Sequence, residues 1–300
     1  MTVRRIATLL VGHATLAAMP ALAAPDKDGV EMREISPGLT LPFRALAPGL
    51  PPVPDYGKAK APPLPVAIPE GFTPIFNGRD LAGWHVSKTS RHGTAPVFEV
   101  RQGVLMGMQS APGQGGQLVT DRKYRNFELS FDFKPDWSAD SGVFFRTTEE
   151  GAGYQVTLDY VSSDRAYTAG PGLNLGSFIG EGGVQVGDVP ATSPKLDPAQ
   201  AAAKPQPDYA HPPIEPVPDF WKREQWNHVR IRVAGDVPHV TVWINGTQVS
   251  DTTDTANHAV GGMVAGPIAL QVHGGWQRWR PGDVLRWRNI AIRELPKDAK

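Results

Sequence analysis

The chain has 300 residues, among them 32 Gly, 30 Pro and no Cys. Gly and Pro fill 62 positions, about twice their usual share, which excludes a helical bundle because both are poor in helix interiors. The 30 basic and 30 acidic side chains balance, so there is no electrostatic case for a nucleic-acid partner, and a disulfide scaffold or Cys-ligated metal is excluded outright.

The N-terminus reads as a secretory signal of residues 1–23. Arg4 and Arg5 precede a mostly apolar run from Ile6 to Met19, and Ala21-Leu22-Ala23 supplies a small-x-small cleavage pattern. The run is short and broken by His13 and Pro20, which favours cleavage over anchoring. Cleavage after Ala23 leaves 28 basic against 30 acidic residues, a net charge of −2. No later segment is apolar enough to span a bilayer, so the expected location is periplasmic or secreted, with no membrane span after cleavage. Residues 24–69 carry eleven prolines and almost no periodic apolar pattern. They read as an extended polyproline-type spacer.

From residue 70 to 296 strand signals follow one another. Phe127-Glu128-Leu129-Ser130-Phe131-Asp132-Phe133 alternates apolar and polar residues. Gly142–Arg146 and Tyr154–Asp159 follow closely. His228–Val233 and His239–Ile244 come later, with an Asn245-Gly246 turn leading into Thr247-Gln248-Val249. Ile268–His273 and Trp287–Ile292 close the series. Many short strands without a long amphipathic helix predict an all-β antiparallel sandwich or jelly roll. Residues 160–222 interrupt it as a long loop insertion, with nine prolines between Pro190 and Pro218. Loops of this length often act as lids or binding loops. Its Gly-rich stretch at 170–183 lacks the Lys-Ser/Thr ending and the strand-to-helix context of a phosphate loop.

Alternation also sorts the faces. With the Phe127–Phe133 apolar set turned inward, Glu128, Ser130 and Asp132 face out. Gln155, Thr157 and Asp159 share a face on one later strand, as do Ala269, Gln271 and His273 on another. Arg146 ends the strand between them. These are groups that do chemistry, and a curved sheet would gather them in a groove. Trp276 and Trp279 stand in a loop, where tryptophans make good platforms for sugar rings. Trp226 and Trp243 sit in strand patterns and read as core.

Several segments, in order, resemble the 3-keto-disaccharide hydrolase domain family. FTPIFNGRDLAGW (72–84) resembles its opening motif, and FEVRQGVLMG (98–107) its strand pair. GGQLVTDRKYRNFELSFDFKPD (115–136), ADSGVFFR (139–146) and YQVTLD (154–159) resemble its central strands. QWNHVRIRV (225–233), VWINGTQV (242–249), GPIALQVHG (266–274) and WRNIAIREL (287–295) resemble its closing ones. Asp140 departs from the Asn that the family often carries there. The resemblance implies a concanavalin-like jelly roll and action on glycosides whose sugar is oxidised to the 3-ketone.

Such a ketone acidifies the hydrogen on C2. A base removes it, the C1 substituent leaves, and water then adds. Direct hydrolysis by two carboxylates is the other route, and the sequence leaves both open. Arg146 suits an oxygen or carboxylate, His273 suits proton transfer, and Glu128 and Asp159 are candidate bases. Gln155, Gln271, Trp276, Trp279 and Glu181 are candidate sugar contacts. No cofactor is implied and no His-x-His or His-Glu-x-x-His spacing marks a metal site, although carboxylates on separated loops leave a divalent metal open. The expected function is an exported glycoside-cleaving enzyme with a carbohydrate substrate; the alternative is a non-catalytic carbohydrate-binding module on the same fold.

Overall fold

A computed structural model describes residues 30–36, 39–44, 68–111, 113–136, 139–159, 175–187, 220–223, 225–274 and 282–299. Within the Pro-rich segment, β1 (Val30–Ser36) and β2 (Leu39–Arg44) form an antiparallel pair that the sequence reading did not anticipate. The signal segment 1–23 and most of the spacer lie outside the described residues.

The remaining strands are β3 (Thr73–Pro74), β4 (Trp84–Val86), β5 (Pro96–Arg101), β6 (Val104–Gln109), β7 (Gly116–Thr120), β8 (Phe127–Pro135), β9 (Gly142–Phe145), β10 (Gly153–Thr157), β11 (Phe178–Glu181), β12 (Asn227–Ala234), β13 (His239–Ile244), β14 (Thr247–Thr253), β15 (Ile268–Val272) and β16 (Leu285–Glu294). They make two antiparallel sheets. One has six strands in the order β11-β10-β9-β15-β7-β4. The other has eight: β14-β13-β12-β8-β16-β6-β5, with β3 beside β16. Among the described residues only a 3₁₀ turn at Val260–Gly262 is helical.

Period-two alternation explains why these sheets stack. Phe127, Leu129, Phe131 and Phe133 of β8 are fully buried and meet Val143, Phe145, Val156, Leu270 and Val272 of the six-stranded sheet in one core. This is the all-β jelly-roll sandwich that the pattern predicts. The β13–β14 hairpin turns at Asn245 and Gly246, with φ of 50° and 85°. Two left-handed residues match the twist of the flanking strands.

Two local expectations come out differently. Trp226 and Trp243 are not core residues. They are half-buried on the outer face of the eight-stranded sheet, under the guanidinium groups of Arg288 and Arg230 at 4.1 and 4.8 Å from the ring centroids. The reason is register: Val240, Val242 and Ile244 take the inner face, so Trp243 must take the outer one. The second difference is that part of the 160–222 insertion is sheet, since β11 pairs with β10. Its described end is fastened. Asp254 accepts hydrogen bonds from the Gly187 amide at 2.7 Å and the Tyr154 hydroxyl at 2.8 Å.

Candidate functional site

The outer face of the six-stranded sheet carries the polar residues in rows. Register aligns Thr157 with Gly142 and Gln271 with Gln117. The next row on this face, toward the N-terminal end of β10, holds Gln155, Phe144, Ala269 and Val119. On the other side, the Leu158 amide bonds the Ser141 carbonyl at 2.8 Å and carries the ladder one step further. That step places Asp159 opposite Asp140. Asp140 reaches His273 at the end of β15, with Oδ2 3.6 Å from Nε2. Asp159, Asp140 and His273 therefore form one row across three strands. Asp159 and Asp140 are buried, at 4% and 6% exposure, while the His273 side chain retains 19%. Buried carboxylates next to a partly open imidazole make an arrangement suited to moving protons.

Gly142 makes the neighbouring row work. A Cβ there would lie 2.0 Å from Gln155 Nε2. The missing side chain lets Gln155 lie across β9 and donate to Gln271 Oε1 at 2.8 Å. Gln271 in turn donates from Nε2 to the His92 ring, whose nitrogens lie at 3.0 and 3.3 Å.

His92 belongs to a loop, residues 87–95 between β4 and β5, that crosses this face. The Ser87 amide donates to the Gln117 carbonyl and the Arg91 amide to the Glu150 carbonyl. Ser90 Oγ donates to Gln117 Oε1 at 3.3 Å. The loop backbone sits so close that a Cβ on Gly274 would lie 2.1 Å from the His92 carbonyl oxygen. This part of the face is thus shielded by the loop, with Gln117, Gln271, His92 and Gln155 at most 4% exposed, while the His273 side chain remains partly open. Burial, with the nearby charges of His273 and Arg91, holds the His92 imidazole well below its ordinary pKa. The ring stands 5.4 Å from that of His273 and edge-on to Phe144 at 5.6 Å.

The other sequence candidates are elsewhere. Glu128 is not on this face. It lies on β8 of the other sheet, where Oε2 meets Arg230 at 2.9 Å and Arg293 at 2.6 Å. Alternation predicted an outward side chain correctly but could not say which sheet it left. Arg146 is not on the face either. By strict alternation it would join Phe144, but its φ of 45° turns the chain, and the side chain is fully buried. It donates from Nη1 to the Asp236 carbonyl at 2.7 Å and from Nη2 to the Gly235 carbonyl, bonding the β12–β13 turn. Desolvation lowers its pKa to about 10. Glu181 pairs with Gly153 at the far end of β10 from Asp159, roughly 20 Å along the strand. It shares the sheet but not the row. Trp276 and Trp279 lie outside the described residues, in the segment that follows His273 and Gly274.

The family model of the 3-keto-alpha-glucoside-1,2-lyase-like domain matches residues 71–293. The chain belongs to this family. A 3-keto-disaccharide hydrolase of Bacteroides thetaiotaomicron is 29% identical over 91 residues, which is 29% of this chain and 30% of that relative. The match thus spans under a third of the relative's length. Among solved structures, two described as putative glycosyl hydrolases from Parabacteroides distasonis give TM-scores of 0.45 and 0.46 at 17% and 20% identity, covering 76% and 75% of this chain and 95% and 99% of theirs.

On this 3-keto-alpha-glucoside-1,2-lyase-like domain the matched region contains the whole described face, from Ser87 to His273. Among the described residues no group of three or more His, Asp or Glu side chains is arranged to hold a metal ion, and no helix is long and apolar enough to cross a membrane. Sequence reasoning missed four residues of the face: Ser90, His92, Gln117 and Asp140. Gln117 sits on β7, where Gly116-Gln117-Leu118-Val119-Thr120 does not alternate and every residue is buried. Asp140 stood out only as a departure from a family Asn. Ser90 and His92 lie in a loop without periodicity, and nothing local in TSRHGTAP (residues 89–96) marks them.

Proposed function

We propose that this protein is an exported enzyme that cleaves 3-keto-glycosides by taking a proton from C2 of the sugar. The observation that carries the reading is the row of Asp159, Asp140 and His273, joined to Gln155 and Gln271 on one face of a chain belonging to this family. The C3 ketone makes the C2 hydrogen acidic. Asp159 is the base in this reading. As the C2–H pair becomes the C1–C2 double bond, the C1–O bond breaks and the aglycone leaves as an alcohol, taking its proton from His273. Asp140, with Oδ2 3.6 Å from Nε2, holds the imidazole in place. Gln155 hydrogen-bonds the sugar near the ketone. The product is a conjugated enone, and addition of water to it restores a 3-keto sugar. Elimination followed by addition of water accommodates both the lyase-like description of the family and the hydrolase name of one relative. Glu128 and Arg146 serve the scaffold in this scheme, because their partners are other parts of the fold.

The test is to incubate purified protein with a 3-keto-disaccharide and follow enone and free sugar together. Enone that appears together with the free aglycone sugar, and before the hydrated 3-keto sugar, supports the reading. Tight binding of the sugar without release overturns it in favour of a carbohydrate-binding module. Export is checked separately, by N-terminal sequencing of protein from cell fractions; the expected start is Ala24 in the periplasmic or extracellular fraction.

A further inference from the structure

The loop at residues 87–95 does more than shield part of the polar face. We infer that His92 is a positioning residue, whose bare ring nitrogen fixes the direction of the Gln271 and Gln155 amides and so decides which polar atoms of Gln155 meet the sugar. This deepens the proposed function and rests on that reading for its consequence, though not for its geometry.

The argument follows the donors along the chain of bonds. Gln155 Nε2 donates to Gln271 Oε1 at 2.8 Å. The carbonyl of Gln271 is therefore engaged, and its amino group faces the His92 ring at 3.0 Å. An amino group only donates, so the ring nitrogen it meets must carry no hydrogen. A neutral His92 offers such a nitrogen. A protonated one has two N–H groups and would oppose a donor with a donor. Gln271 would then turn its carbonyl toward His92 and its amino group toward Gln155. Gln155 would have to turn as well. In the observed direction Gln155 keeps one N–H and its carbonyl for the sugar. In the reversed direction it offers two N–H groups and only the second lone pair of an engaged carbonyl. A sugar presents both a C3 ketone, which only accepts, and hydroxyls, which do both. The two directions therefore read different patterns of oxygen atoms.

The surroundings keep His92 in the neutral state. The residue is 3% exposed. Its neighbours are Gln271 and His273 from β15 and its end, Phe144 from β9, and Arg91 in its own loop. The charged members of that set, Arg91 and a protonated His273, both oppose a second positive charge. Asp140 lies beside His273, with Oδ2 3.6 Å from Nε2. None of these groups is replaced by solvent, so the direction of the amides is fixed from inside the protein.

The experiment has two arms. In the first, the imidazole of His92 is followed by ¹⁵N NMR through a pH titration of the whole protein. The expected result is a neutral ring with one bare nitrogen from pH 7 to pH 5. A His92 that titrates like a free imidazole overturns the inference. Gln271→Glu supplies the converse: its carboxylate needs a donor on the His92 side, so the ring nitrogen that faces it must carry a hydrogen, by a tautomer shift or by protonation. An unchanged His92 in that variant also overturns it. In the second arm, His92→Phe keeps an aromatic ring against Phe144 and removes the acceptor. KM for a 3-keto-disaccharide rises about 10-fold, the worth of one oriented hydrogen bond, with kcat little changed. His92→Asn, whose Oδ1 can stand where Nδ1 stood, recovers most of it. Equal KM values in wild type and His92→Phe, or no recovery by His92→Asn, overturn the inference. If the wild type releases no sugar, the proposed reaction fails while the NMR arm still decides the role of His92.

Discussion

The two outer faces of the sandwich are both polar, and they are built in opposite ways. On the eight-stranded sheet every prominent carboxylate is saturated. Glu128 binds Arg230 and Arg293, and Asp132 binds Arg288, His228 and Asn289. The guanidinium groups of Arg230 and Arg288 also lie on Trp243 and Trp226. On the six-stranded sheet the polar groups are amides, imidazoles and the buried carboxylates Asp140, Asp159 and Glu181, and a loop crosses over part of them. Asp140 Oδ2 and His273 Nε2 stand 3.6 Å apart. A lattice of Arg–carboxylate pairs holds a surface together, whereas buried carboxylates beside a partly open imidazole are suited to exchanging protons. Charge content alone does not distinguish a scaffold from a site.

Breaking the six-stranded face should remove activity and spare the fold. Asp159→Asn and His273→Gln are each expected to lower kcat by roughly 100-fold to 10,000-fold, the usual contribution of a positioned acid or base. The thermal midpoint should move little. Steady-state kinetics beside a melting curve check both halves.

The opposite pattern is expected where the structure has moved a sequence candidate into the scaffold. Arg146→Met leaves the Gly235 and Asp236 carbonyls without their donor. The expected cost is about 3 kcal/mol of stability, with kcat per folded molecule unchanged. Urea denaturation gives the first number and kinetics the second. Glu128→Gln should show the same sign at smaller size, about 1 kcal/mol, because its arginines remain 41% exposed and can turn to water. A large loss of kcat in Glu128→Gln would erase the contrast between the faces.

These substitutions also mark what the sequence could convey. Alternation in Phe127–Phe133 and the Asn245-Gly246 turn are local facts, and the fold follows them closely. Pairing Gln155, Gln271, Asp159 and His273 as a common polar set was within reach for the same reason. Glu128 shows the limit. Period two says that a side chain leaves the core, but membership of one sheet or the other depends on strand order, which no local pattern holds. Arg146 shows another: one residue with φ of 45° reverses the face that counting predicts. His92 shows a third, because its role arises from a loop packed over residues nearly 180 positions away.

The smallest effect concerns acid stability of the eight-stranded face. Burial opposes ionisation of Asp132, yet hydrogen bonds from His228 and Arg288 outweigh it and hold the carboxyl below its ordinary value. A depressed folded-state pKa contributes stability above the unfolded value and loses it as pH falls through the folded one. The urea midpoint should therefore hold from neutrality down to about pH 4 and then decline. In Asp132→Asn the neutral-pH midpoint should be lower and the acid decline shallower.

The central claim is that proton removal at C2 occurs on the six-stranded face. The direct measurement is turnover of a 3-keto-disaccharide carrying deuterium at C2, in wild type and in Asp159→Asn. The account predicts slower release from the deuterated sugar by the wild type, loss of the deuterium from C2, and release by the variant slowed by about 100-fold or more. Release at an equal rate from both sugars with deuterium retained, or release by Asp159→Asn at the wild-type rate, would contradict it.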